Sequence, residues 1–111
     1  MNITTISEES CFILALSGRM DATTTESFDT AAKSALEEHS SILVDLKDLV
    51  YISSAGLRSL LSFAKIIKGK SGRLGFCNLQ PMVAEVFHIS GFDRMLSVYE
   101  NKEAALAAFA Q

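Results

Sequence analysis

The sequence contains few of the residues that would indicate an unusual environment. Its 111 residues include no tryptophan, one proline and two cysteines, Cys11 and Cys77. No apolar run approaches the ~20 residues of a membrane-spanning helix, and the N-terminus MNITTISEES lacks the charged-then-apolar pattern of a secretion signal. We therefore expect a cytoplasmic protein with no direct membrane insertion, in which both cysteines are reduced core residues.

Missing motifs exclude several classes of function. The net charge is −3 and the chain has no basic patch, which argues against nucleic-acid binding. His39 and His88 do not stand at metal-ligand spacing from the cysteines. There is no phosphate loop, dinucleotide-binding fingerprint or nucleophile elbow. Asp45 and Asp48 are better interpreted as acceptors for backbone N–H groups than as an acid/base pair. The sequence predicts no cofactor, no metal and no enzymatic activity.

Short apolar runs alternate with helical patterns along the whole chain. With 49% hydrophobic and 21% charged residues, residues 1–111 fit a single compact domain. Strands are predicted at 3–6, 11–17, 42–46, 73–77 and 95–99, and helices after each strand but the first. This order predicts an α/β fold: a mixed, partly parallel sheet of four to five strands paired with a layer of about four helices.

Local signals predict where several elements begin and end. Gly18 is expected to end the second strand and to open a loop over residues 19–22. Thr23 and Glu26 form a capping-box pattern for the first helix. Pro81 suits the first position of a later helix, and Asn101 suits the N-cap of the last one. His39 is expected to be solvated, and His88 partly buried.

The stretch from Ile42 to Lys68 combines a buried strand, a short loop and an amphipathic helix. The helix pattern places leucine, alanine and isoleucine on one face, at Leu57, Leu60, Leu61, Ala64 and Ile67. Ser53 and Ser54 stand at the start of this helix, where free N–H groups and the helix dipole favour negative charge. Either serine could be a simple N-cap, or it could carry a phosphate.

The run from Val44 to Leu57, VDLKDLVYISSAGL, resembles the signature of the STAS domain. The resemblance is greatest to small bacterial anti-sigma factor antagonists, and it extends to Gly18-Arg19-Met20-Asp21. Their signature includes Asp-Ser-Ser/Thr-Gly-Leu, and the family is regulated by phosphorylation of the first serine. The matching residue here is Ser54. The preceding aspartate of the signature is replaced by Ser53, so Ser53 is a second candidate for phosphorylation.

The resemblance implies a STAS-like fold and regulation by partner switching. The unphosphorylated protein would bind an anti-sigma factor with a histidine-kinase-like ATPase fold and so release a sigma factor. That partner would phosphorylate Ser54 with ATP, and a metal-dependent serine phosphatase would reverse the modification. The resemblance also implies one partner-binding surface, to which we assign Arg19, Met20, Asp21, Ser53, Ser54, Ala55 and Gly56. Arg58 is added because it stands four residues after Ser54 and could reach a phosphate there; the alternative is that it is a solvated residue. The alternative is a STAS scaffold or subunit of a lipid or anion transport complex, without a phosphoswitch.

Overall fold

The computed structural model describes residues 1–111, which form a five-stranded mixed sheet and five helices. The strands are β1 (Asn2–Ser7), β2 (Phe12–Met20), β3 (Ser41–Ile52), β4 (Arg73–Cys77) and β5 (Ser97–Tyr99). The helices are α1 (Thr25–Glu38), α2 (Ser54–Gly69), α3 (Pro81–Ser90), α4 (Phe92–Met95) and α5 (Lys102–Phe109). The strands follow the order β1-β2-β3-β4-β5, with β1 antiparallel to β2 and every later pair parallel. The predicted α/β architecture is confirmed.

Alternate residues of the central strands enter two separate apolar clusters, because successive side chains of a strand point to opposite faces of the sheet. Leu14, Val44 and Phe76 belong to a cluster of 18 buried residues shared with α1, α2, α3 and α4. Their neighbours Ile13, Leu43 and Cys77 belong to a cluster of six that α5 covers. Helices therefore pack on both faces of the sheet, so the predicted single layer of helices is wrong: α5 covers the second face.

Helix α2 buries the predicted face only in part. Leu60 and Ile67 are fully buried, whereas Leu57, Leu61 and Ala64 are half-buried. Phe63, which the pattern did not single out, is also buried, and its ring meets Phe28 of α1 edge to face, with centroids 5.6 Å apart. The buried face of α2 therefore includes a contact with α1 that the pattern did not predict.

The two strands that precede the candidate site residues, β2 and β3, are both longer than predicted. Gly18 does not end β2, because its left-handed backbone (φ 93°) takes up a register irregularity against β3 and the strand continues to Met20. β3 likewise runs to Ile52, so Asp45 and Asp48 lie inside a strand and not at its end. The Asp45 carboxylate accepts hydrogen bonds from the Lys47 backbone N–H (3.0 Å) and from the Asn78 side-chain amide (3.2 Å), which confirms its predicted role as an acceptor. The exposed Asp48 carboxylate accepts no hydrogen bond, so the same prediction for Asp48 is wrong.

Other local predictions have mixed outcomes. Pro81 is the first residue of α3, and the Asn101 side chain caps α5 by accepting from the Ala104 N–H at 2.8 Å. The short helix α4 was not predicted. His88 is exposed and pairs with Asp93 at 2.8 Å, so its predicted partial burial is wrong. His39 is half-buried, and its ring stacks on the Phe12 ring with centroids 4.1 Å apart, so the prediction of a solvated side chain is wrong.

Both cysteines are free and buried, as predicted. Burial raises the pKa of both thiols, that of Cys77 to about 12. Thiols with raised pKa values are poor nucleophiles at neutral pH, because little thiolate is present. No helix is both long and apolar enough to cross a membrane.

Candidate functional site

The ends of β2 and β3 bring the two candidate loops together. The strands are parallel neighbours, and their last registered pairs are Arg19 with Tyr51 and Met20 with Ile52. The Ser53 N–H then donates to the Met20 carbonyl at 2.9 Å. The loop after β2 and the start of α2 consequently lie at the same edge of the sheet, as the resemblance implied.

Ser53 and Ser54 have different structural roles at the start of α2. Ser53 is the N-cap: its hydroxyl oxygen accepts from the Gly56 N–H at 3.2 Å. Ser54 is the first helical residue, is exposed, and its hydroxyl makes no hydrogen bond within the protein. The Ser54 and Ala55 N–H groups belong to the first turn, which has no carbonyl partners of its own. Hence Ser53 accounts for the capping, and Ser54 presents a free hydroxyl at the positive end of a helix dipole.

Two members of the predicted partner-binding surface are buried. Met20 is fully buried in the large cluster, and Gly56 is packed beneath it. A β-carbon on Gly56 would lie 2.8 Å from Ile52 Cγ1 and 3.0 Å from the Met20 carbonyl oxygen. We therefore correct both assignments: Met20 and Gly56 hold the loops in place and do not offer side-chain atoms to a partner.

The loop after β2 is held by its own hydrogen bonds. The Asp21 carboxylate accepts from the Thr23 N–H at 2.9 Å and from the Thr23 hydroxyl at 2.6 Å. These hydrogen bonds lower the pKa of Asp21. The Thr24 hydroxyl accepts from the Asp21 N–H at 2.9 Å. α1 therefore begins at Thr25, with Thr24 at the N-cap but no side-chain cap, so the predicted capping box from Thr23 to Glu26 is wrong.

The site includes one cation from β2 and one from α2. The Arg19 guanidinium lies 4.1 Å from the centroid of the Tyr51 ring, its cross-strand neighbour. Arg58 is exposed one helical turn after Ser54 and makes no salt bridge. The contact between Tyr51 and Arg19 was not predicted. It follows from the length of β3: Ile52 is buried in the core, so the preceding residue, Tyr51, points to the opposite face of the sheet, where Arg19 is its neighbour on β2.

The site thus consists of the exposed or half-exposed residues Arg19, Asp21, Tyr51, Ser53, Ser54, Ala55 and Arg58 on a support of Met20 and Gly56. It has no histidine and no buried ionisable group. Such an arrangement supplies a hydroxyl that another protein can modify, and charges that a partner can recognise.

The sequence-family model of the STAS domain matches residues 2–105 of this chain. The chain belongs to the STAS domain family. It is 36% identical over 110 residues to BtrV of Bordetella bronchiseptica, assigned as an anti-sigma factor antagonist; the match covers 98% of this chain and 95% of that protein. It is 32% identical over 98 residues to the anti-sigma F factor antagonist of Paenibacillus polymyxa, covering 85% of this chain and 82% of that one.

The fold is also that of the anti-sigma factor antagonist SpoIIAA. The unphosphorylated form superposes with a TM-score of 0.80 and 18% identity, covering 99% of this chain and 98% of SpoIIAA. The phosphorylated Bacillus form gives a TM-score of 0.71 and 19% identity, covering 94% and 96%. At these identities the likeness shows a shared fold.

Proposed function

We propose that this protein is an anti-sigma factor antagonist that acts by partner switching. In its unphosphorylated form it binds an anti-sigma factor and thereby releases a sigma factor. Two curated relatives that match most of the chain, BtrV and the Paenibacillus protein, are described as antagonists of this kind. The single observation that carries the proposal is the exposed, unbonded hydroxyl of Ser54 at the first position of α2.

Ser54 is the proposed site of phosphorylation. A phosphate adds about −1.5 to −2 charges and strong acceptor oxygens. At the start of α2 it meets free N–H groups and the positive end of the helix dipole. Arg58, at i+4, can reach the phosphate from the next turn. The modification therefore leaves the domain folded.

The effect of the phosphate falls on the interface instead. A partner that covers Ser54 must remove water from the phosphate, which costs several kcal/mol unless the partner supplies a matching cation. A net loss of ~2 kcal/mol weakens binding about thirtyfold. The proposed contact surface consists of Arg19, Asp21, Ser53, Ser54, Ala55 and Arg58, with Tyr51 added because it orients Arg19.

The modifying enzymes are separate proteins in this proposal. The anti-sigma factor itself is a serine kinase with a histidine-kinase-like ATPase fold, and a metal-dependent serine phosphatase removes the phosphate. The chain contributes no catalytic group and needs no cofactor of its own. SpoIIAA, which shares the fold, exists in phosphorylated and unphosphorylated forms, which supports a phosphoswitch on this scaffold.

Affinity purification from the native cell tests the proposal. The bait is the unmodified chain, and the matched control is the Ser54→Asp variant. We expect the unmodified bait to retain a protein with an ATP-binding kinase fold, and the variant to retain much less of it. Recovery of a membrane transport complex by both baits would instead support the alternative role as a scaffold or transporter subunit.

A further inference from the structure

A second surface lies far from Ser54, at the opposite end of α2. A cavity of about 470 Å³ opens between the C-terminal half of α2, the edge strand β5 and the end of α5. Its volume is within the range of ~300–1,000 Å³ that is usual for small-molecule sites. Lys65 on its rim follows Ser54 by 11 residues, about 16 Å along the helix at 1.5 Å per residue.

Hydrophobic residues make up most of the cavity lining. Eight of its 13 lining residues are hydrophobic. Leu61, Leu74 and Leu96 are half-buried there, and Met95 at its edge is 59% exposed. Leu61 is a residue that the helix pattern assigned to the core, yet no other side chain covers it fully. An aliphatic chain placed in this cavity would remove that apolar surface from water.

The charged residues of the lining are all cations. They are Lys65, Lys68 and Arg73, and no carboxylate is among the lining residues, although acidic residues outnumber basic ones by 13 to 10 in the chain. The two salt bridges of the protein join His88 to Asp93 and Lys102 to Glu8, so neither lysine of the rim has an acidic partner. The rim therefore carries uncompensated positive charge.

Arg73 is fixed in position by α5. Its Nη1 donates to the Phe109 carbonyl and its Nη2 to the Ala108 carbonyl, both at 2.9 Å, and the guanidinium lies 4.9 Å from the Phe109 ring centroid. A guanidinium has five N–H donors, so donors remain for a ligand.

Lys68 in the last turn of α2 also complements the helix dipole. Interaction with the helix dipole explains neither the position of Lys65 nor the hydrophobic residues of the cavity lining.

We propose that this cavity binds a single-chain amphipathic anion, with an aliphatic tail against Leu61, Leu74 and Leu96 and a carboxylate head group at Lys65 and Lys68. Charge complementarity gives the sign of the head group, and the hydrophobic residues of the lining favour an aliphatic tail. This proposal is independent of the phosphoswitch, because none of its residues belongs to the surface around Ser54.

Isothermal titration calorimetry of the full chain with three probes, each with a ten-carbon alkyl chain, tests the proposal. The probes are decanoate, decanol and decyltrimethylammonium, each below its critical micelle concentration, with acetate as the probe that has a charge but no tail. We expect saturable one-to-one binding of decanoate, about tenfold or more tighter than either of the other ten-carbon probes, since a charge-assisted contact is lost or reversed. Acetate should not bind measurably. Equal binding of decanoate and decyltrimethylammonium would overturn the proposal.

Charge reversal on the rim is the matched test. The double variant Lys65→Glu, Lys68→Glu should lose decanoate binding by about tenfold or more and should gain affinity for decyltrimethylammonium. Lys33→Glu on α1, an exposed lysine outside the cavity, is the control and should bind decanoate normally. Melting temperatures establish that each variant is folded. Unchanged decanoate binding in the double variant would contradict the proposal. A second measurement tests binding of the chain to phosphatidylglycerol vesicles. If the chain bound these vesicles but not monomeric decanoate, the proposal would also be wrong.

Discussion

Met20 lies directly against Gly56: a β-carbon built on the glycine would be 3.0 Å from the Met20 carbonyl oxygen and 3.1 Å from Met20 Cγ. The contact joins the end of β2 to the first turn of α2. It explains why the position after Ala55 is a glycine even though Gly56 is inside a helix, where glycine costs ~1 kcal/mol relative to alanine. Close packing between the strand end and the helix thus fixes the position of Ser54.

Gly56→Ala should therefore destabilise the fold. The added methyl group meets a backbone oxygen and the Ile52 side chain at 2.8 Å, and overpacking of this kind costs about 1–3 kcal/mol. Gly69→Ala is the control, because a β-carbon at Gly69 would meet no atom within 4 Å. We expect Gly69→Ala to be neutral or slightly stabilising. Denaturant unfolding measures both variants, and equal stabilities would show that the contact at Gly56 is not tight.

The leucines of α2 should differ in their contribution to stability. Leu60 is fully buried, whereas Leu61 is half-buried and lines the cavity beside β5. Leu60→Ala should cost ~2–5 kcal/mol of unfolding free energy, and Leu61→Ala clearly less because less apolar surface is lost. A loss below ~0.5 kcal/mol for Leu60→Ala would mean that the assigned buried face is wrong.

The capping role of Ser53 can be separated from phosphorylation. Ser53→Ala removes the acceptor for the Gly56 N–H and should cost ~1 kcal/mol of stability. Ser54→Ala removes no hydrogen bond and should change stability by less than ~0.5 kcal/mol. Thermal or denaturant unfolding of the two variants compares them. A larger loss for Ser54→Ala would reverse the assigned roles.

Asp21 should affect partner binding more than folding. The hydrogen bonds from Thr23 lower the pKa of the Asp21 carboxyl, so folding favours its charged form. The resulting contribution to stability is fully present above the unfolded pKa of 3.8 and is lost as the pH falls through the lowered pKa of the folded state. At neutral pH the loop therefore offers a negative charge. We expect Asp21→Ala to weaken binding of the anti-sigma partner strongly and to lower the melting temperature only modestly, because the lost hydrogen bonds to Thr23 lie in one exposed loop and the chain stays folded. Asp29→Ala, an exposed change on α1, is the control. Normal affinity of Asp21→Ala would remove the loop from the interface.

Periodic features of the chain were predictable from sequence. A partly parallel sheet followed from strand–helix alternation, and the caps at Ser53 and Asn101 follow from residue types that bond N–H groups. The connection rules bring the two loops to one sheet edge only if β2 and β3 are parallel neighbours, and the family resemblance implied that arrangement. Most of the positioning of the candidate site was therefore accessible before the structure.

What the sequence did not reveal depends on tertiary contacts. Gly18 was expected to end a strand, but its positive φ serves a register irregularity that only the pairing with β3 creates. Met20 was assigned to the surface because it falls in the predicted loop over residues 19–22, and its burial follows from the extra length of β2. The Arg19–Tyr51 contact depends on the same register. A one-dimensional pattern does not contain these pairings.

The most direct test is phosphosite mapping after incubation with the anti-sigma partner and Mg-ATP. Intact mass should show one added phosphoryl group on the wild-type chain, fragmentation should place it on Ser54, and the phosphorylated protein should no longer bind the partner. Ser53→Ala should still accept the phosphate, whereas Ser54→Ala should remain unmodified, folded and permanently able to bind. Phosphate on Ser53, or normal phosphorylation of Ser54→Ala, would contradict the account.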